Sequence, residues 1–169
     1  MGNIDRFTGL RTFQFTGFAE TPSEELIEIF KVRKRQFVDV LQWPLPIVGS
    51  ALEVDQFDNE NAVYCRAKRD GKTVFSVRML AREHSMVAAL WPDLLQHIPA
   101  NYTEISRLCL HDPSVDPEWK RAVAPMLVTL AAPFFAVADR RITLLYASLG
   151  IKPDEKIPFA DFYLCLWHK

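Results

Sequence analysis

Charged residues stand at four places in this chain of 169 residues where simple core packing would not put them. Arg33 lies in an apolar, helix-spaced stretch. Glu53, Asp55 and Asp58 share the run Glu53-Val54-Asp55-Gln56-Phe57-Asp58. Arg78 sits among Val74, Val77 and Leu80, and Glu104 and Arg107 flank Ile105 and Ser106. Acids and arginines in this proportion can close into one ionised cluster whose buried charges neutralise one another. Arg78 shares a regular strand face with Val74, Ser76 and Leu80, so it lies either on a solvated face or inside beside an acid; spacing alone leaves both open. Metal chemistry has less support. His84, His97, His111 and His168 form no pair at ligand spacing and are expected to be ordinary surface histidines. Cys65, Cys109 and Cys165 are an odd number without metal-ligand spacing, each in a hydrophobic run where a buried reduced thiol is expected.

Taken singly, each residue has a plainer reading. The acidic run is a solvated loop, Arg33 an exposed helix residue, Phe37 core packing, and Trp43, just before Pro44, a loop anchor. Only their joint spacing argues otherwise.

The elements that must position them follow from local pattern. Thr12 to Thr16 alternate with Phe13 and Phe15 on one side, as a half-buried strand does. Thr21-Pro22-Ser23-Glu24 supplies an N-cap, a first-turn proline and a capping-box acid. Leu26, Ile29, Phe30, Phe37 and Leu41 then keep helical spacing toward Gln42, with Lys31, Arg33, Lys34 and Arg35 between them, until Pro44 and Pro46 force a loop. Strands over Ala62–Lys68 and Lys72–Leu80 flank Arg69-Asp70-Gly71, a strong hairpin signal. Ser85–Ile98 reads as a weaker helix interrupted at Pro92, and Tyr102–Leu110 as a strand closed by His111-Asp112-Pro113-Ser114. A long helix is expected from Asp116 and Pro117, with Val123, Leu127, Leu130, Phe134 and Val137 as its stripe and bends at Pro125 and Pro133. Two last strands are expected, at Ile142–Leu149 and Phe159–Trp167. This order suits an α+β sandwich with a mainly antiparallel sheet covered by helices, one domain over residues 1–169.

Composition narrows the function classes. A chain that is 49% hydrophobic can bury a substantial core. Its net charge of −1 supplies no basic field of the kind nucleic-acid binding needs. No apolar stretch reaches spanning length. The segment Met1 to Arg6 lacks a secretory core and has Arg6 where a myristoylation signal wants Ser or Thr, so a soluble protein is expected, and the cysteines point to a reducing cytoplasm.

Five blocks now combine: Arg33 and Phe37 within Val32-Arg33-Lys34-Arg35-Gln36-Phe37; Trp43 six positions on; the Glu-x-Asp-x-Phe-Asp run; Ser76-Val77-Arg78; and Glu104-Ile105-Ser106-Arg107. In order, spacing and type from Ile29 to Leu110, they resemble the acyl-homoserine lactone synthases, the autoinducer synthases of quorum sensing. The resemblance implies a fold related to the GCN5-type N-acetyltransferases, a GNAT-like three-layer α/β/α sandwich with a mainly antiparallel mixed sheet. It also implies an acyltransferase reaction joining S-adenosylmethionine, as substrate rather than cofactor, to an acyl group on acyl carrier protein or coenzyme A. A lactone and methylthioadenosine leave.

The same resemblance assigns roles. The methionyl α-amine, like α-amines in general, takes up its proton with a pKa of about 8 and is largely protonated at neutral pH, so a base is required. Glu104 is the candidate, acting through a water, with Arg78 and Arg107 adjusting its proton affinity. Phe37 and Trp43 hold the adenine or sulfonium, Asp55 and Asp58 anchor the cation, and Arg33 locks the loop. Backbone amides around Arg107 serve the tetrahedral oxyanion. No metal and no enzyme nucleophile is required. Glu104 and Arg107, three apart, fall on opposite faces of a regular strand, and a β-bulge would reconcile them. Arg140-Arg141, with Lys120-Arg121, could meet an acidic carrier protein, although solvation at a helix end is the plainer reading.

The likeness thins in the C-terminal third. After the strand expected at Ile142–Leu149, neither the Arg-bearing helix nor the Gly-Trp turn of the family is recognisable, as if the chain were shortened there. That predicts an altered acyl pocket and exposed apolar surface near Leu127, Leu130 and Phe134. A degenerate homologue that binds S-adenosylmethionine without turnover, and an acyl-CoA-dependent N-acyltransferase acting on another amine, stay open beside the synthase.

Overall fold

Residues 13–69, 71–111, 133–148 and 150–168 are described in the computed structural model. They divide into two units, Met1–Met79 with Arg107–Pro113, and Leu80–Ser106 with Ser114–Lys169. Among the described residues no helix is long and apolar enough to cross a membrane.

In the first unit the alternating segment forms β1, Phe13–Gly17, and pairs antiparallel with β4, Ala62–Arg69, in the register Phe13↔Ala67 to Gly17↔Val63. β4 neighbours β5, Lys72–Ala81, around a turn in which Gly71 takes a φ of 76°. That left-handed value is the reason the hairpin wants glycine there. From Thr73 to Arg78 every side chain of β5 is buried, so both faces of the strand are covered. Helix α1, Ser23–Arg33, turns Ile29, Phe30, Val32 and Arg33 inward. Its cap differs from expectation. Thr21 Oγ1 donates to the Gly17 carbonyl at 2.8 Å and meets Thr16 Oγ1, so it braces the preceding turn instead of capping the helix.

Beyond Arg33 the helix widens into a π-helix, Lys34–Val40, whose ladder includes Leu41 N–H to the Gln36 carbonyl at 3.1 Å. The loop expected after Pro46 contains a miniature hairpin. β2, Ile47–Val48, pairs with β3, Leu52–Glu53, about Gly49 and Ser50, which have φ of 56° and 60°. Two successive left-handed residues make the turn type whose twist matches flanking strands.

In the second unit Ser85 caps α2, Met86–Leu90, by accepting the Ala88 N–H, and a 3-10 turn over Pro92–His97 continues past the proline break. β6, Thr103–Leu110, gives its first half to this unit and its second half to the other. It pairs parallel with β7, Phe134–Ala138, which pairs antiparallel with β9, Phe162–Trp167, and β9 with β8, Glu155–Phe159.

Four expectations are corrected here. Phe134 and Val137 belong to strand β7 and not to a helical stripe; Phe-Phe-Ala-Val-Ala is a continuous apolar run, which suits a strand buried on both faces. Of the strand expected at Ile142–Leu149, the described residues, 142–148, belong instead to helix α3, Arg140–Ser148. Asp139 Oδ1 accepts the Ile142 N–H at 2.8 Å as its N-cap, and Gly150, with φ of 78°, closes it while Ile151 N–H reaches back to the Tyr146 carbonyl. The β-branched pair Ile142-Thr143 imitated a strand, but the caps decide. A helix bearing Arg140 and Arg141 therefore does follow a strand in this region. Phe134 is also not exposed: it is 3% accessible and stacks on Trp167 with centroids 4.5 Å apart. The expected helix from Asp116 to Pro133, with Lys120, Arg121, Leu127 and Leu130, lies outside the described residues up to position 132, as does Thr12 of the first strand.

Candidate functional site

The charged residues of the first unit converge. Arg33, at the last turn of α1, donates from Nε to Glu53 at 2.5 Å and, as a two-pronged fork, to both oxygens of Asp58 at 2.7 and 2.9 Å. Arg78, from β5, bonds Asp55 at 2.5 and 3.2 Å and Asp58 at 3.0 Å. Arg107, from β6, bonds Glu53 at 3.1 Å and Asp55 at 2.9 Å. Three guanidinium groups thus neutralise three carboxylates, and the open choice for Arg78 resolves to the interior, where its side chain is 0% exposed.

The acidic run can serve three partners because its own backbone is tied. Asp55 N–H donates to Asp58 Oδ2, Phe57 N–H to Asp55 Oδ1, and Asp58 N–H to the Asp55 carbonyl. These short-range bonds aim the carboxylates at the arginines.

Asp58 accepts five hydrogen bonds, two from Arg33 and one each from Arg78, Tyr64 and the Asp55 amide. Burial would raise its proton affinity, but the bonds and charge of Arg33, the charge of Arg78 and the Asp55 amide outweigh it and hold the group well below the ordinary carboxylate range. Burial likewise opposes the charge on Arg33, and Asp58 and Glu53 overcome it. Exposure separates roles within the cluster. The side chains of Arg33, Glu53 and Asp58 are 0% exposed, whereas Asp55 and Arg107 keep 9% and 7%. The last two form its accessible edge.

Aromatic rings line the arginines. Arg107 lies 5.6 Å from the Phe37 ring centroid, and Phe37 stacks on Trp43 at 5.2 Å and 21°. Arg33 lies over Phe30 and Arg78 over Phe57. The irregular backbone expected between Glu104 and Arg107 is visible at Arg107, whose φ of 57° departs from the pleat. Glu104 belongs to the second unit. It is 1% exposed, and its Oε2 accepts the Met86 N–H at 2.7 Å.

The burial of two polar residues escaped the sequence. Tyr64, wholly buried, donates to Asp58 at 2.7 Å, and burial followed by the Asp58 charge lifts its phenol above the usual range. Its only visible signal is a tyrosine six positions after Asp58, opening the hairpin strand. His111, expected at the surface, is 8% exposed. Its Nε2 meets Ser76 Oγ at 2.8 Å, and burial, then the charge of Arg35, lowers its pKa to about 4. The cysteines are as expected, free and buried.

The family described as autoinducer synthase matches residues 18–141. The chain belongs to the autoinducer synthase family. An acyl-homoserine-lactone synthase from Aliivibrio fischeri is 35% identical over 99 residues, 55% of this chain and 51% of that protein. The chain spans about half the length of the curated relatives it matches. Among solved structures, the CoA-dependent acyl-homoserine lactone synthase BjaI with SAM and isopentyl-CoA superposes with a TM-score of 0.65 at 18% identity, covering 93% of this chain and 81% of that one. An acyl-CoA N-acyltransferase from Pseudomonas aeruginosa gives 0.52 at 18% identity, covering 91% and 95%. This autoinducer synthase family member therefore has the α+β, GNAT-like fold, with a mixed and mostly antiparallel strand arrangement.

Proposed function

We propose that the chain makes an N-acyl-homoserine lactone from S-adenosylmethionine and an acyl thioester. One observation carries this: within an otherwise closed ion-pair cluster, Asp55 and Arg107 alone among the six charged side chains reach the edge, beside the Phe37–Trp43 stack. A zwitterionic methionyl group with a sulfonium wants that set. Its carboxylate pairs with Arg107, its ammonium with Asp55, and its sulfonium or adenine with the rings, at about 0.5–2 kcal/mol for a cation over an aromatic face. Arg33, Glu53, Asp58 and Arg78 act by holding those two in place. A structural neighbour bound to SAM and isopentyl-CoA supports the pairing of substrates.

Glu104, on the strand that also carries Arg107, accepts the amine proton through a water. The freed amine attacks the thioester carbonyl, and backbone N–H groups around Arg107 stabilise the oxyanion. The C–S bond then breaks, releasing the thiol of coenzyme A or acyl carrier protein. The methionyl carboxylate next displaces methylthioadenosine from the carbon bearing the sulfonium, closing the lactone. The reaction and the three free thiols suit a reducing bacterial cytoplasm.

Purified protein incubated with S-adenosylmethionine and a panel of acyl-carrier-protein and acyl-CoA thioesters, followed by mass spectrometry, tests this. Lactone and methylthioadenosine in equal amounts are expected. Binding without product would indicate a degenerate homologue, and a different amide would sink the synthase reading in favour of another N-acyltransferase.

A further inference from the structure

We propose that Gln36 is a positioning residue for Arg107, an inference whose functional consequence rests on the function proposed above. Two irregular pieces of backbone meet at this point. One is the π-helix Lys34–Val40, the other the left-handed turn of β6 at Arg107. Gln36 joins them: its Nε2 donates to the carbonyl of Leu108, the residue after Arg107, at 2.9 Å. Its neighbour Phe37 lies under the Arg107 guanidinium, and packs with Val32 and Cys109, two positions past Arg107. Arg35 Nη2 adds a bond to the His111 carbonyl at 2.9 Å, where the strand ends.

A left-handed arginine is intrinsically disfavoured, because its Cβ crowds the backbone. It persists only where surrounding contacts outweigh that cost. The side chain of Arg107 supplies some of them through Glu53 and Asp55, but those bonds fix the guanidinium and do not reach the peptide beyond it. Gln36 is the side chain that holds that peptide. The wider π turn carries Gln36 and Phe37 side by side, so adjacent residues hold the backbone after Arg107 and its charged head. Without the amide donor, the carbonyl of Leu108 loses this side-chain partner, the strand relaxes toward regular pleat, and Arg107 swings off Asp55. The accessible edge of the site then loses its cation.

The test compares wild type, Gln36→Glu and Gln36→Lys. Glutamate is the same shape with an acceptor facing the carbonyl; lysine restores a donor. Three measurements are made on each: the exchange rate of the Arg107 Nε–H proton by NMR, S-adenosylmethionine affinity by calorimetry, and KM against kcat for methylthioadenosine release. Gln36→Glu should accelerate Nε–H exchange and weaken S-adenosylmethionine binding about tenfold, the loss expected for one net hydrogen bond. KM should rise with kcat nearly kept, and Gln36→Lys should return the values toward wild type. Unchanged exchange in Gln36→Glu, or a lysine variant as impaired as the glutamate one, would overturn the proposal. Should wild type neither bind S-adenosylmethionine nor release methylthioadenosine, the proposed function fails, while the Arg107 exchange comparison still decides the role of Gln36.

Discussion

At the scale of single residues the site is an exercise in burying charge without leaving any unpaired. Removing one partner of such a network strands the others in a low-dielectric interior. Arg33→Met would leave Glu53 without its closest donor and take two of the five bonds of Asp58. A loss of about 3–5 kcal/mol is expected, read from urea unfolding; an unchanged midpoint would mean the cluster carries no stability. Glu104→Gln addresses chemistry instead. Turnover should fall at least about a hundredfold, the usual worth of a general base, with S-adenosylmethionine binding largely kept, and undiminished turnover would remove Glu104 from the mechanism. Two groups set the pH response. His111 is held neutral, with its pKa lowered to about 4, so the unfolded chain takes up its proton first. Stability should be flat above ~6.5, the ordinary histidine value, and decline as pH falls from there toward 4, by an amount on the order of 3 kcal/mol. Asp58 is depressed, so its contribution is present above the usual carboxylate range and is lost only as pH falls below it. Urea unfolding of wild type and His111→Asn from pH 7 down through the carboxylate range to about pH 2 separates them: the variant should lose the upper phase alone.

At the scale of elements, boundaries set by caps and turns outrank residue propensity. Ile142 and Thr143 favour strands, yet Asp139 and Gly150 bracket a helix, and the helix forms. Asp139→Ala should therefore cost about 1 kcal/mol through the lost N-cap, seen as a lower melting temperature; a strand at this position would be indifferent to it. The hairpin at Gly71 follows its local signal closely, and the helix from Ser23 begins where expected but without the Thr21 cap. The π-helix does not, because its wide turn matches the same apolar spacing as an α-helix and is selected by what Arg33, Gln36 and Phe37 must reach.

At the scale of the whole molecule, the cysteines report on closure of both units. Burial pushes Cys65 and Cys109 up to about 12 and Cys165 up to about 11, and all three are shielded. Iodoacetamide at pH 8 should leave the native protein unmodified and add three groups in urea, counted by mass; labelling of the native chain would show one unit opening readily. What this sequence determined by itself was local: the acid run with its short-range turn bonds, the hairpin, the first helix, and the identity of the charged residues, all set by neighbours a few positions apart. What only the tertiary structure decided was non-local. Arg107 finds Glu53 across 54 positions and Gln36 finds Leu108 across 72. Whether Arg78 and His111 are inside or out, and that Tyr64 completes the shell of Asp58, depends on which strands and helices enclose them. Burial is a property of the packed molecule, and no spacing within one segment specifies it.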